Sequence, residues 1–396
     1  MIKSLPALKT SFLCVLTLVT FIHSESVFAK EEEEKIPELA EDAKSAIIME
    51  VDTGQVLYNK NENEKLPPAS MTKIMTMLLV MEALEKEDIQ LDEQVTASEH
   101  AASMGGSQIF LEQGEQMTVH ELLKGVAVAS GNDASVALAE HIAGTEEKFI
   151  KKMNDKAEEL GLENTHFNNT TGLTEKDHYT TARDLAVMSQ ALLQHEKILE
   201  YTSIYEDYLR QGTDKEFWLV NTNRLVKHYD GVDGLKTGFT SEAKYNLTAT
   251  AQKDGMRVIT VLMGAESPKK RNKQTTEMLD YGFQNYQKVV LAEKGEEIAS
   301  IPVEKGKTKT VPVTLERNAA IVLPKGKKIE KIDREIDIND KVIAPAEKGS
   351  AAGVVQFYDG EKKLTEKELV LDEEAQSASW YVLFKRTLSS LTGQLS

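Results

Sequence analysis

Apolar and polar positions first fall into a legible pattern near residue 45. Ala46-Ile47-Ile48 and Val56-Leu57-Tyr58 stand on either side of Asp52-Thr53-Gly54, which predicts a hairpin. From Ser70 to about Glu85 the period becomes helical, with Met71, Ile74, Met75, Leu78 and Leu79 on one face. Further helical stretches are predicted over residues 119–128, 132–142, 146–160 and 181–193. The last opens with Thr181 and Asp184, spaced as a capping box. Strand patterns return over 231–239, 245–252 and 256–264, the latter two joined by the turn Lys253-Asp254-Gly255. A helix from about Pro268 to Tyr286 closes the region. Strands at both ends with helices between them predict one α+β domain, its sheet built from sequence-distant segments.

After about Val290 the pattern changes to short alternating runs over 310–315, 320–323, 341–344 and 353–358, punctuated by Lys-Gly and Pro. Such spacing predicts a small all-β domain. Near the C-terminus Trp380, Leu383, Phe384, Thr387, Leu388 and Leu391 recur at helical spacing beside Lys385 and Arg386. That composition suits an amphipathic helix lying in a membrane surface. At the other end, Lys3 and Lys9 precede an apolar run from Phe12 to Ile22, and Val27-Phe28-Ala29 offers a cleavage site. This is the pattern of a secretory signal peptide cut after Ala29. The expected organisation is a signal peptide over 1–29, an acidic linker over 30–39, an α+β domain over 40–287, a β-rich domain over 288–373 and an amphipathic helix over 376–396.

Composition narrows the function classes. The 396 residues carry 64 acidic and 47 basic side chains, a formal net charge of -17, which makes a phosphate backbone an unsuitable partner and argues against nucleic acid. The one cysteine, Cys14, lies in the signal segment, so the mature chain has no disulfide, thiol nucleophile or zinc–cysteine site. None of the eight histidines is spaced as a metal site, and His166 and His178 read as loop residues. No metal and no cofactor is expected.

Three short motifs carry the chemistry: Ser70-Met71-Thr72-Lys73, Ser130-Gly131-Asn132 and Lys236-Thr237-Gly238. Ser70 opens a helical pattern, where the helix dipole favours developing negative charge. Lys73, three residues on, shares its face. It can serve as a general base only if its pKa falls well below about 10.4, and burial and a second cation, supplied by Lys236, both push that way. A serine followed at the third position by lysine is weak alone. Ser267-Pro268-Lys269-Lys270 repeats the spacing and reads as a helix cap. In the second motif Ser130 suits a proton relay, and Asn132 suits orienting Lys73 and holding a peptide group. In the third, Lys236 offers charge to a carboxylate, Thr237 a hydroxyl donor, and Gly238 close backbone approach.

The combination, in this order and on these elements, is strong. The chain resembles the low-molecular-mass penicillin-binding proteins, specifically the D-alanyl-D-alanine carboxypeptidases of Bacillus-like bacteria. The segments that carry the resemblance are residues 68–73, 130–135 and 231–238, together with Asn168 and Gly172-Leu173. The resemblance implies the penicillin-binding/β-lactamase-like fold, followed by the family's second domain and membrane anchor. It further implies removal of the terminal D-alanine from peptidoglycan stem peptides, with Ser70 as nucleophile, Lys73 as base and Ser130 protonating the departing D-alanine. Lys236 and Thr237 would bind the carboxylate, and the backbone N–H groups of Ser70 and Phe239 would hold the oxyanion. β-Lactam antibiotics would acylate the same serine. The implied location is the cell envelope, peripheral on the outer face of the cytoplasmic membrane. A serine β-lactamase shares the motifs, but its class A form uses a further glutamate, and the Asn164 register places Leu160 there. A non-catalytic penicillin-binding sensor, or action on cross-links, is the other reading.

Overall fold

The computed structural model describes residues 38–329 and 331–391. The signal peptide expected over 1–29 and the linker up to Pro37 lie outside the described residues. The hairpin near residue 45 forms as β1 (Ser45–Glu50) and β2 (Val56–Lys60), and a helical stretch follows it as α1 (Lys73–Glu85), α2 (Asn132–Ala143), α3 (Glu146–Glu159) and α4 (Ala182–Leu193). The chain then returns to the sheet as β3 (Val232–Thr240), β4 (Lys244–Lys253) and β5 (Met256–Ala265), and α5 (Pro268–Asn285) closes the domain. The five strands form one sheet in the order β2-β1-β5-β4-β3, with every neighbour antiparallel.

Strand side chains point alternately to opposite faces, so one sheet can feed two cores. Ile47, Met49, Ile259, Val261 and Met263 pack against the helical cluster, whereas Ala46, Ile48, Val258 and Leu262 pack beneath α5 with Met278 and Leu279. The α+β reading is therefore borne out as three layers: helix, sheet, helical cluster.

Two local expectations are corrected. The segment after Ser70 is not one-sided: Met71, Ile74, Met75, Met77, Leu78 and Val80 are all buried, because α1 runs through the middle of the cluster. A helix apolar all round is one buried all round. Thr181 does cap α4 by accepting from the Asp184 N–H, but the Asp184 carboxylate accepts from the Asn164 N–H and the Thr165 hydroxyl instead of closing the box.

From Tyr286 onward the chain is β-rich. Tyr286–Ala292 pairs with Ala319–Pro324, and six further strands form a second sheet over the core of Ile301, Val313, Phe357 and Leu369. The expected strand over 341–344 shrinks to Val342–Ile343. Glu297–Glu304, Asp333–Ile338 and Lys362–Leu371 are strands whose polar exposed positions hid them from the hydropathy pattern. A helix spans Trp380–Leu391, with Arg386 donating to the carbonyls of Gly306 and Lys307 at its base. Trp380 is 75% exposed and Phe384 56%. No described helix is long and apolar enough to cross a membrane.

Candidate active site

The three motifs converge where α1, the start of α2 and β3 meet. Ser70 lies in a tight 3-10 turn, Ala69–Thr72, that runs straight into α1, so the nucleophile candidate precedes the α-helix instead of opening it. Ala69 has φ +49°, a left-handed conformation that its neighbours must hold in place. Two glycines press on this turn. A Cβ at Gly172, φ +83°, would lie 1.8 Å from the Ala69 carbonyl oxygen. A Cβ at Gly238 would lie 2.8 Å from the Pro68 carbonyl oxygen and 3.2 Å from the Met71 nitrogen. The backbone that Gly238 admits is thus the protein's own turn around Ser70.

Lys73 is completely buried. Its Nζ lies 3.4 Å from the Ser70 Oγ and donates to the Asn132 Oδ1 at 2.6 Å and the Thr171 carbonyl at 2.8 Å. Burial pushes its pKa well below the ordinary lysine value; the charge of Lys236 adds to this and that of Asp133 opposes it. Asn132 is held at both ends, its Nδ2 donating to the Gly105 carbonyl at 2.6 Å.

Ser130 sits in the left-handed region, φ 64°, at the end of a π-helical turn over Gly125–Ala129. Residues 119–128, expected as one helix, therefore change winding before the site, a device frequent at functional positions. The Ser130 hydroxyl is buried with no hydrogen-bond partner among the described residues. A buried hydroxyl left unmatched costs free energy unless something else completes it.

Lys236, buried on β3, has its pKa lowered to about 7, first by burial and then by the Arg271 guanidinium. Its Nζ donates to the Thr237 carbonyl at 3.1 Å, and the Thr237 hydroxyl donates to the Thr222 hydroxyl at 2.7 Å. Thr222 also donates its N–H to the Val128 carbonyl, which ties β3 to the Ser130 turn. Phe239 is exposed and stacked on Tyr245 with ring centroids 4.3 Å apart.

Four contributors escaped the sequence reading. Arg271, buried on α5, has its pKa lowered to about 10 by burial, and it donates to the Asn272 side chain. It belongs to the same Ser267-Pro268 helix start that the pattern identified as a cap, which it is. The Thr171 carbonyl is a backbone group and carries no residue-type signal. The Asp133 carboxylate accepts from the N–H groups of Ile109, Leu111 and Ala134 and pins the 105–111 loop over Asn132. His178, read as a loop residue, is buried: its Nδ1 accepts from the Asn168 N–H, which leaves Nε2–H to donate to the Thr72 hydroxyl at 2.8 Å. Burial lowers its pKa to about 4.

A serine with a buried, depressed lysine at its side, and a second buried lysine acting on the first, belongs to the penicillin-binding class of acyl-transfer enzymes. The comparisons agree. The family model for D-alanyl-D-alanine carboxypeptidase matches residues 30–267, and that for the C-terminal domain of penicillin-binding protein 5 matches 286–377. The D-alanyl-D-alanine carboxypeptidase DacF of Bacillus subtilis is 52% identical over 97% of this chain and 98% of its own length. Among solved structures, penicillin binding protein 5 from Haemophilus influenzae matches with a TM-score of 0.69 at 31% identity, covering 86% of this chain and 99% of its own. Penicillin-Binding Protein D2 from Listeria monocytogenes in its ampicillin-bound form matches with a TM-score of 0.57 at 33% identity, over 62% of this chain and all of its own. The chain belongs to the D-alanyl-D-alanine carboxypeptidase family: it is a penicillin-binding hydrolase of cell-wall peptides.

Proposed function

We propose that Ser70 is the acylated nucleophile of this carboxypeptidase and that neutral Lys73 is its base. The observation that carries the reading is the lysine's hydrogen bonding. A neutral amine has two N–H donors and one lone pair. With the donors committed to the Asn132 side chain and the Thr171 carbonyl, the lone pair is left for the Ser70 hydroxyl. Ser70 Oγ then bonds to the penultimate D-alanine carbonyl as Lys73 takes the proton. The oxyanion rests on the N–H groups of Ser70 and Phe239. Collapse breaks the C–N bond, and the proton passes from Lys73 through Ser130 to the departing amine. Lys236 and Thr237 bind the terminal carboxylate, and Arg271 behind Lys236 strengthens the field there. Water attacks the ester and gives its proton to Lys73, which passes it to the departing Ser70 oxygen, and a β-lactam enters by the same attack.

This reading extends to the whole chain. The catalytic domain is assigned to 40–287 and the β-rich domain to 288–373, with a signal peptide over 1–29 that exports the enzyme to the envelope. The helix within 376–396 rests on the outer face of the cytoplasmic membrane, supported by its exposed Trp380, Tyr381 and Phe384. The test is D-alanine release from a pentapeptide ending in D-Ala-D-Ala. Ser70→Ala is expected to lower it by on the order of 10⁴ or more. Release at the wild-type rate would remove Ser70 from the role.

A further inference from the structure

We propose that the seam between the two domains is a second binding site, for a polyanionic chain carrying phosphate or carboxylate groups. A cleft of about 820 Å³ opens there, between the ends of β1, α4 and the β4–β5 turn on one side and the β-rich domain on the other. Clefts of that size hold ligands, and in this one positive charge outnumbers negative. Five cationic side chains face it against the carboxylates of Asp52 and Glu196. Lys288 pairs with Asp52 at 2.5 Å, and Arg257 pairs with Asp233 at 2.8 Å. Lys294, Arg317 and Lys367 form no ion pair with any described residue. Arg317 and Lys367 also line a neighbouring groove with Glu316, Glu366 and Glu368, so they stand on the rim between the cationic cleft and an acidic strip.

In a chain of net charge -17, three uncommitted cations gathered on one cleft are the reverse of the overall field. At physiological ionic strength charges beyond about 8 Å are screened, so a ligand seated here meets the local cations and little of the distant acidic surface. Amide side chains of Gln190, Gln194 and Asn318 add neutral donors beside them. The cleft is separate from the reaction site. Gln252 lines it and follows Ala251, the partner of Val232, whereas Gly238 pairs with Asn246 at the other end of the same ladder. The intervening strand is about 20 Å long. A wall polymer held there would keep the enzyme on its substrate without entering the catalytic cleft.

The probes are inorganic polyphosphate and poly-glutamate, titrated against the full chain. Binding of either at about 50 mM salt, weakened by raising salt to about 300 mM, is expected. Polyphosphate alone would identify phosphate as the recognised group, and poly-glutamate alone carboxylate. The variant Lys294→Gln/Arg317→Gln/Lys367→Gln should weaken that binding about tenfold, since exposed pairs contribute little each and add across three sites. Its D-alanine release should be unchanged, which reports that the fold is intact. Failure of both probes to bind, or equal affinity in the triple variant, would overturn the site.

Discussion

In the domain ending at Asn285 the interior holds Lys73, Lys236, Arg271, Asp133 and His178. In the domain that follows, the described buried polar residue is Thr314, and the core is aliphatic around Phe357. Its charges stay on the surface, as in Arg334 with Glu296 and Lys341 with Glu304. Removing a charge from water costs several kcal/mol even after relaxation. A domain that buries three basic side chains near one another is therefore held in that state by packing, and their pKa values stay depressed because the packing does not yield. The β-rich domain has no such buried arrangement among its described residues.

Gly172→Ala should break this contrast most severely. The new Cβ cannot coexist with the Ala69 carbonyl, so the nucleophile turn must move. A displacement near 1 Å costs about a hundredfold in rate, and the strain roughly 1–3 kcal/mol of stability. D-alanine release and thermal unfolding read both losses. Wild-type values for both would mean that the turn has room the structure denies it.

His178 sharpens the contrast through pH. Its pKa is about 4 in the folded chain and about 6.5 in the unfolded one. Between those values the unfolded state binds the extra proton. The stabilisation is therefore complete above about pH 6.5 and falls as pH drops towards 4, by up to about 1.4 kcal/mol per unit. Unfolding of wild type and His178→Asn across this window should show a shallower slope in the variant. Parallel slopes would contradict the burial argument.

The smallest expected effect on chemistry comes from the largest lesion to the second domain. Phe357→Ala should destabilise that domain by about 3–5 kcal/mol yet leave kcat/KM for a soluble pentapeptide unchanged. A large fall in kcat/KM would show that the β-rich domain shapes the site.

What the sequence made legible follows the same division. Ile47 and Ile48, facing opposite cores, wrote the sheet into the hydropathy pattern, and the Ser70-to-Lys73 spacing pointed to two side chains that the structure brings within 3.4 Å. Arg271 was illegible because only the register of α5 over the sheet decides which cation of a basic run turns inward. The carbonyl of Thr171 was illegible because every residue has one. His178 was hidden because its burial depends on the 168–178 loop folding back onto Thr72. Asp333–Ile338 was missed because an edge strand with charged positions on both faces does not alternate.

The central claim is that a neutral, buried Lys73 takes the proton from Ser70. The direct measurement is the rate at which labelled penicillin forms its ester at Ser70, followed by intact mass, in wild type and in Lys73→Arg. The guanidinium stays protonated near neutral pH. The account predicts rapid acylation of wild type and none in the folded variant over the same time. Acylation of Lys73→Arg at the wild-type rate would contradict it, because the base would then lie elsewhere.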